Sequence, residues 1–247
     1  MIKFSILIPT RNRVPLLKTL LHSIYESTCD KSETEIHVMH DDDDQVTQAF
    51  IDTFPKENPV KTYFHVRPRS NSINKDYYNW AATNFAQGEY LIMSNDDALF
   101  EMLHWDKRAK DKLDNTYKKM YPDGILYAFT EDFEHEPSRQ LHNWMSCFPL
   151  VSKKVVDVLG YVFDPEYIRD GADWALAATF RAINRVGDLR DCIWIKHISF
   201  RSGRRAWDSL DDHSRSLGIS PPPSDIFIER NKKKLVEYIQ KYSMETH

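Results

Sequence analysis

Glycine is scarce in this chain of 247 residues: there are seven, no two adjacent. Neither a GxGxxG nor a GxxxxGK[ST] pattern can be written from them, which excludes the Rossmann dinucleotide fingerprint and the P-loop, since both need glycine for close backbone approach to phosphate. A nucleotide here has to be held in another way. Cysteine is equally sparse. Cys29, Cys147 and Cys192 lie far apart with no CxxC spacing, so neither a disulfide framework nor a thiolate zinc site is indicated, and a reducing compartment is favoured. Long apolar runs are missing too. MIKFSILIPT reaches only a few residues before Pro9, short of the roughly 20 that span a bilayer and without a small-residue cleavage site. The expectation is an untargeted cytoplasmic protein with no membrane segment. Nor does one charge dominate: 33 Lys and Arg against 37 Asp and Glu give a net charge of -4, with no overall attraction to nucleic acid or anionic membrane.

What is present is a core and a pattern. A hydrophobic content of 41% at this length is enough to bury a substantial interior. Short β-rich runs at 3–8, 35–40, 60–66 and 89–94 alternate with stretches of helical period at 14–27, 45–54 and 72–86, the signature of an α/β sheet with crossover helices. The second half is less regular. A charged helix is expected near 104–120, strands near 124–129 and 144–151, helices near 152–159 and 172–186, and a last strand in DCIWIKHISF. SPPPS at 220–224 precedes a terminal helix from about 225 to 242 that Ser224 is suited to cap, with Pro223 stopping any upstream helix.

In such sheets ligands bind at the carboxyl ends of the strands, near the switch in strand order. Three polar clusters fall there: Pro9-Thr10-Arg11-Asn12-Arg13, His40-Asp41-Asp42-Asp43-Asp44 and Asn95-Asp96-Asp97. The last is chemically odd, because the strand-like stretch GEYLIM is followed, after Ser94 and Asn95, by two adjacent carboxylates that repel each other. They end the strand in a turn, or they hold a cation.

These segments carry a family resemblance. FSILIPTRNRVPLLKTLLHSI resembles the opening of a family 2 glycosyltransferase of the GT-A fold, EIHVMHDDDD its second strand, and QGEYLIMSNDD its Gly-Glu-Tyr strand ending in an Asp-x-Asp metal motif. The likeness is good over residues 3–100 and looser to about 200. It implies a Rossmann-like mixed β-sheet flanked by helices, with a GT-A domain over 1–220 (a nucleotide-sugar half, 1–100, and an acceptor-facing half, 101–220) and a C-terminal helical extension, 221–247, packed on it. It also implies a nucleotide-sugar donor, a divalent cation (Mn or Mg) and inverting transfer of a hexose-like sugar, UDP-linked, to an acceptor hydroxyl.

Residue by residue, the resemblance puts Asn95 at the first Asp of the metal motif, Asp97 at the second as principal metal ligand, and Asp96 against the donor sugar or ribose. Asp41 is placed on the base or ribose, with Asp42 its rival by a one-residue slip, and His40 stands where the family has an acid. Pro9, Thr10, Asn12 and Arg13 form the turn that cradles the nucleoside, with Arg13 reaching toward phosphate; Arg11 is read as a loop arginine without a partner. Asp43 and Asp44 are read as a solvated or helix-capping pair before Gln45. In RDGADWALAATFRAINRVGD, Ala172 occupies the family's Glu position and Asp173 its Asp position, which makes Asp173 the candidate base and Asp170 the fallback. Trp174 is read as core. His197 is the candidate late metal or diphosphate ligand, and Arg201, Arg204 and Arg205 form a basic loop suited to closing over a diphosphate. Lys232-Lys233-Lys234 is read as a solvated helix face.

Two alternatives come from other classes. A nucleotidyltransferase wants a glycine-rich loop after its first strand, and PTRNRVP has none. A catalytically degenerate GT-A scaffold that binds a nucleotide or glycan fits the replacement of family carboxylates by Asn95, His40 and Ala172. The acceptor stays open: glycan, protein side chain and modified nucleobase are each compatible with the sequence, and the lack of a membrane segment disfavours a lipid carrier.

Overall fold

The strand β1 (Phe4–Pro9) is buried along its whole length, as are β2 (Thr34–Asp41) and β4 (Tyr90–Met93). In β1 and β4 cover on both faces reads as a near-continuous apolar run, whereas β2, TEIHVMHD, also buries Glu35, which accepts from Ser5 Oγ at 2.6 Å, and His37, 3.0 Å from His65. β3 (Lys61–Arg67) does alternate in exposure, because it forms the sheet edge. The computed structural model describes residues 1–131, 144–168, 171–198, 206–209 and 225–246. Within them a seven-stranded sheet has the order β3-β2-β1-β4-β7-β6-β8. The first four strands are parallel. β7 (Leu150–Ser152) is antiparallel to both β4 and β6 (Tyr127–Phe129), and β8 (Val186–Asp188) is parallel to β6. This is the mixed α/β sheet expected from the sequence.

Alternating side chains build a core on each face. Ile6 and Ile8 pack with Leu17, Leu20, Leu21 and Ile24 of α1 (Val14–Ser27), whereas Leu7 joins Met39, Met93 and the side of α6 (Lys153–Leu159) and α7 (Ala172–Ala182). Trp105 is fully buried between Phe4 and Phe100, with ring centroids at 5.1 and 5.2 Å, and its Nε1 donates to Thr28 Oγ1 at 3.2 Å.

Several elements differ from the periodicity. The stretch 72–86 is a π-helical turn, Asn74–Asn79, continued by α3 (Trp80–Asn84). The stretch 104–120 divides in the same way into α4 (Trp105–Lys112), a π-helical turn over Leu113–Tyr117 and α5 (Lys118–Met120). β5 (Ala98–Phe100) pairs antiparallel with β9 (Ile195–His197) in a separate two-stranded sheet, and α7 stops at Ala182, four residues short of the expected 186, where β8 begins. Strands of three residues are too short to show a period; only their partners define them.

The terminal helix α8 (Asp225–Glu245) lies on α6 and α7. Leu235 is fully buried, Asn231 accepts from Tyr161 Oη at 2.6 Å, and Arg230 pairs with Asp164 at 2.5 Å. Lys233 and Lys234 are exposed. Ser224 and Pro223 fall outside the described residues. Among the described residues, no helix is long and apolar enough to cross a membrane.

Candidate functional site

β1 and β4 are parallel neighbours, with β2 and β3 on one side and β7 onward on the other. The crevice at their carboxyl ends is the topological switch point, where open α/β sheets bind ligands. Residues 9–13 line one wall and 95–97 the other. Pro9 is the buried last residue of β1, opposite Met39. Thr10 is buried and donates from Oγ1 to Asp96 Oδ2 at 2.9 Å, so its hydroxyl proton is committed across the crevice. Asn12 sits in the left-handed region at φ 53, which asparagine tolerates. Its N–H donates to Asp44 Oδ2 at 2.8 Å and its side chain is exposed. Arg13 Nη1 lies 3.4 Å from Asp96 Oδ1 and 4.0 Å from Asp97 Oδ2, while Nε and Nη2 fork the carboxylate of Asp208, each at 2.8 Å.

The end of β2 separates its four acids. Asp41 is buried; Arg11 Nη1 donates to its Oδ2 at 2.5 Å and Tyr77 Oη donates to its Oδ1. Asp42 and Asp43 are exposed, and Asp44 caps α2 (Gln45–Asp52) by accepting from Thr47 N at 3.0 Å. Of the two base-contact candidates, Asp41 is thus the one built into the crevice. Arg11 corrects the sequence reading. Rather than lacking a partner it bridges Asp41 and Asp43, reaching Asp43 Oδ2 at 3.1 Å, because two carboxylates on one loop need a cation between them. His40 is buried with Nδ1 3.1 Å from the Asp41 carbonyl.

At the end of β4, Tyr78 Oη lies 2.6 Å from Ser94 O and 2.7 Å from Asn95 Oδ1. Asp96 and Asp97 are 3% and 4% exposed. Burial, and after it the charge of Asp97, pushes the Asp96 carboxyl up to about 7, against the opposing pull of Arg13 and Thr10. A pair of acids at a strand end is tolerable when one is held near neutrality or a cation is near. Asp97 Oδ1 is 3.2 Å from His197 Nε2, and its carbonyl accepts from Ile198 N at 2.6 Å. The β5–β9 pairing sets this contact, placing His197 opposite Ala98 with its ring edge-on to Phe148 at 5.2 Å.

Asp173 opens α7 after Gly171, whose φ of 85 favours glycine. It is half-buried and accepts from Trp174 N at 2.8 Å. Burial, followed by the carboxylates of Asp96, Asp97 and Asp173, holds the Tyr78 phenol well above its ordinary range. The candidate base and the acidic pair therefore act on one phenol. Trp174 packs against Trp144, with centroids at 6.2 Å. Asp170, Arg201, Arg204 and Arg205 lie outside the described residues.

A carboxylate and an imidazole at 3.2 Å are donors that Mn accepts, and Mg accepts the carboxylate. Among the described residues no group of three or more His, Cys, Asp or Glu is placed to hold a metal alone. Asp97 and His197 are two side chains whose chemistry fits a divalent cation. A separate open cleft of about 560 Å³, lined by Tyr117, Tyr121, Tyr238 and Tyr242, opens at the amino end of β4 and shares no residue with this site. Sequence reasoning passed over Tyr77, Tyr78 and Asp208. The tyrosines read as core aromatics, and Asp208 belongs to no recognisable element.

The fold and the crevice define a GT-A glycosyltransferase domain. The chain belongs to glycosyl transferase family 2, whose model matches residues 5–165. No curated protein matches it. Among solved structures, the first 349 residues of S. aureus TarS in complex with UDP share 15% identity at a TM-score of 0.61, covering 96% of this chain and 71% of that one. The mannosyltransferase PcManGT from Pyrobaculum calidifontis, in complex with GDP-Man and Mn2+, gives 18% and 0.62, covering 94% and 69%. GalNAc-T7 with UDP, GalNAc and Mn2+ gives 14% and 0.61, covering 96% and 54%. At such identities the likeness is one of fold.

Proposed function

We propose that this protein transfers a hexose-like sugar from a UDP-linked donor to an acceptor hydroxyl, with inversion and with a divalent cation. The observation that carries this reading is the Asp97–His197 pair at the β1/β4 crevice, beside Arg13, with Asp41 buried and bridged at the end of the neighbouring β2. The structural neighbours support the ligand class, since TarS and GalNAc-T7 were solved with UDP and PcManGT with GDP-Man.

Each residue has a defined task. The Asp41 carboxylate is acceptor-only, so it selects a base that offers N–H groups, as uracil does. Arg11 and Tyr77 fix its orientation. Asp97 and His197 hold the cation, which when bound supplies positive charge to the departing diphosphate. Arg13 adds guanidinium charge on the same side, and the family resemblance assigns Arg201, Arg204 and Arg205 to the diphosphate. Asp96, held by Thr10 and Arg13, faces the donor ribose or sugar. Asp173 removes the acceptor hydroxyl proton as that oxygen bonds the anomeric carbon and the carbon–diphosphate bond breaks on the opposite face. Inversion follows from one displacement without a covalent enzyme intermediate.

A degenerate, binding-only scaffold is the second reading. It is favoured by Ala172, buried at the family's Glu position, and by Asp208 engaging Arg13. Calorimetric titration with UDP, GDP, CDP and ADP, each with and without Mn, separates the readings from no site at all. Metal-strengthened binding of UDP that Asp97→Asn weakens is the expected result. Absence of binding to all four sinks the donor-site assignment.

A further inference from the structure

Two adjacent tyrosines, Tyr77 and Tyr78, sit on the π-helical turn Asn74–Asn79 and reach different walls of the crevice. Tyr77 Oη donates to Asp41 Oδ1 and accepts from Ser70 N at 3.1 Å. Tyr78 Oη contacts Ser94 O and Asn95 Oδ1 at 2.6 and 2.7 Å. Both rings are nearly buried, at 6% and 5% exposure. The turn itself is clamped to the segment leading into α7. Asn74 Nδ2 donates to Tyr167 O at 2.9 Å, and Asn79 accepts from Val162 N and Phe163 N, each at 2.9 Å, while donating to Phe163 O at 2.7 Å. π-helical turns are rare and recur at functional sites because the added residue redirects neighbouring side chains.

We propose that Tyr77 and Tyr78 are positioning residues with separate tasks: Tyr77 orients Asp41 for the nucleoside, and Tyr78 orients Asn95 for the metal–diphosphate edge. The inference rests on the proposed donor site and adds residues that the family motif does not contain. For Tyr78 the reason is proton arithmetic. A phenol carries one proton, and the Ser94 carbonyl can only accept. The phenol proton is therefore shared between the Ser94 carbonyl and Asn95 Oδ1, which holds the amide with its oxygen at the phenol. The second lone pair of Asn95 Oδ1 is then left for an outside ligand. An asparagine held this way does in neutral form what a carboxylate does at the first position of the metal motif, without a third negative charge beside Asp96 and Asp97. For Tyr77 the reason is geometric. With one hydrogen bond on each Asp41 oxygen, the carboxylate cannot rotate, and its remaining lone pairs are aimed.

The experiment measures UDP affinity by calorimetry, with and without Mn, for wild type, Tyr77→Phe and Tyr78→Phe. Each change removes only a hydroxyl. Tyr77→Phe is expected to weaken UDP about three- to tenfold in both conditions, leaving the gain from Mn unchanged. Tyr78→Phe is expected to leave metal-free binding at the wild-type value and to reduce the gain from Mn about three- to tenfold. A purely structural role would move both quantities together in both variants, and that result, or wild-type behaviour of both, overturns the inference while wild-type binding keeps the donor site. Asn95→Ala guards against misfolding of the tyrosine variants. Its loss of the Mn gain must not add to that of Tyr78→Phe in the double variant, and additive losses also overturn the pairing. No UDP binding by the wild type overturns the donor site, and this inference with it.

Discussion

Arg13 and Asp208 stand 195 residues apart in sequence, yet the guanidinium of one forks the carboxylate of the other through two hydrogen bonds of 2.8 Å. The same guanidinium lies 3.4 Å from Asp96. An arginine of the first βα turn is thus engaged on one side by the acidic wall and on the other by a distant segment. A diphosphate and a carboxylate compete for the same planar fork, so under the proposed function Asp208 competes with the donor diphosphate for Arg13.

Replacing Asp208 with Ala removes that competitor. Titration of the variant with UDP and Mn is expected to show binding about three- to tenfold tighter than wild type. Weaker binding would mean that Asp208 contributes to the donor site instead of screening it.

Asp173→Asn keeps the shape at the start of α7 but removes the proton acceptor. With a transferable acceptor present, kcat is expected to fall by about 10²–10⁴-fold, while UDP affinity stays at the wild-type value because the proposed function gives Asp173 the acceptor proton and no donor contact. Steady-state kinetics paired with calorimetry checks both halves, and undiminished kcat would remove Asp173 from its role.

Gly88 is fixed by space. A Cβ there would lie 2.6 Å from Ser5 N and 2.7 Å from Phe4 C, both backbone atoms of β1, and the Gly88 N–H donates to Ser5 Oγ at 2.8 Å. Gly88→Ala is expected to destabilise the fold by about 1–3 kcal/mol, read as a shift of the urea midpoint. An unchanged midpoint would show that β1 and β4 can separate without cost.

His65 supplies a pH dependence. Burial, and then the neighbouring His37 at 3.0 Å, lowers its pKa to about 4 from the ordinary 6.5, and its ring stacks on Phe85 at 4.1 Å. Folding therefore favours the neutral ring. Its contribution to stability is complete above about pH 6.5 and is lost as pH falls toward 4. Denaturant unfolding at pH 7.5 and pH 5 is expected to show a smaller acid-side loss for His65→Leu than for wild type; equal losses would assign the pH dependence elsewhere.

The β1 and β4 strands were legible because FSILIP and YLIM are almost wholly apolar, as burial on both faces requires, and β2 because its β-rich run stops at a polar cluster. Asp41, Asp97, Asp173 and His197 were legible as candidates because motif spacing marks them. Tyr77 and Tyr78 were not, since a buried tyrosine in a helical pattern looks the same whether its hydroxyl meets a core carbonyl or an acid of the site. Arg11 was misread for a related reason: its partners lie on another loop, and sequence distance says nothing about them.

By itself the sequence determined the α/β class, the family and the three strand ends that gather chemistry, because burial pattern and turn residues are local properties of the chain. Tertiary structure alone decided which acid of HDDDD enters the crevice, that His197 meets Asp97, and that Asp208 returns to Arg13. Those outcomes depend on strand order and on pairings between strands of three residues, where each contact is set by a partner far along the chain and not by its neighbours.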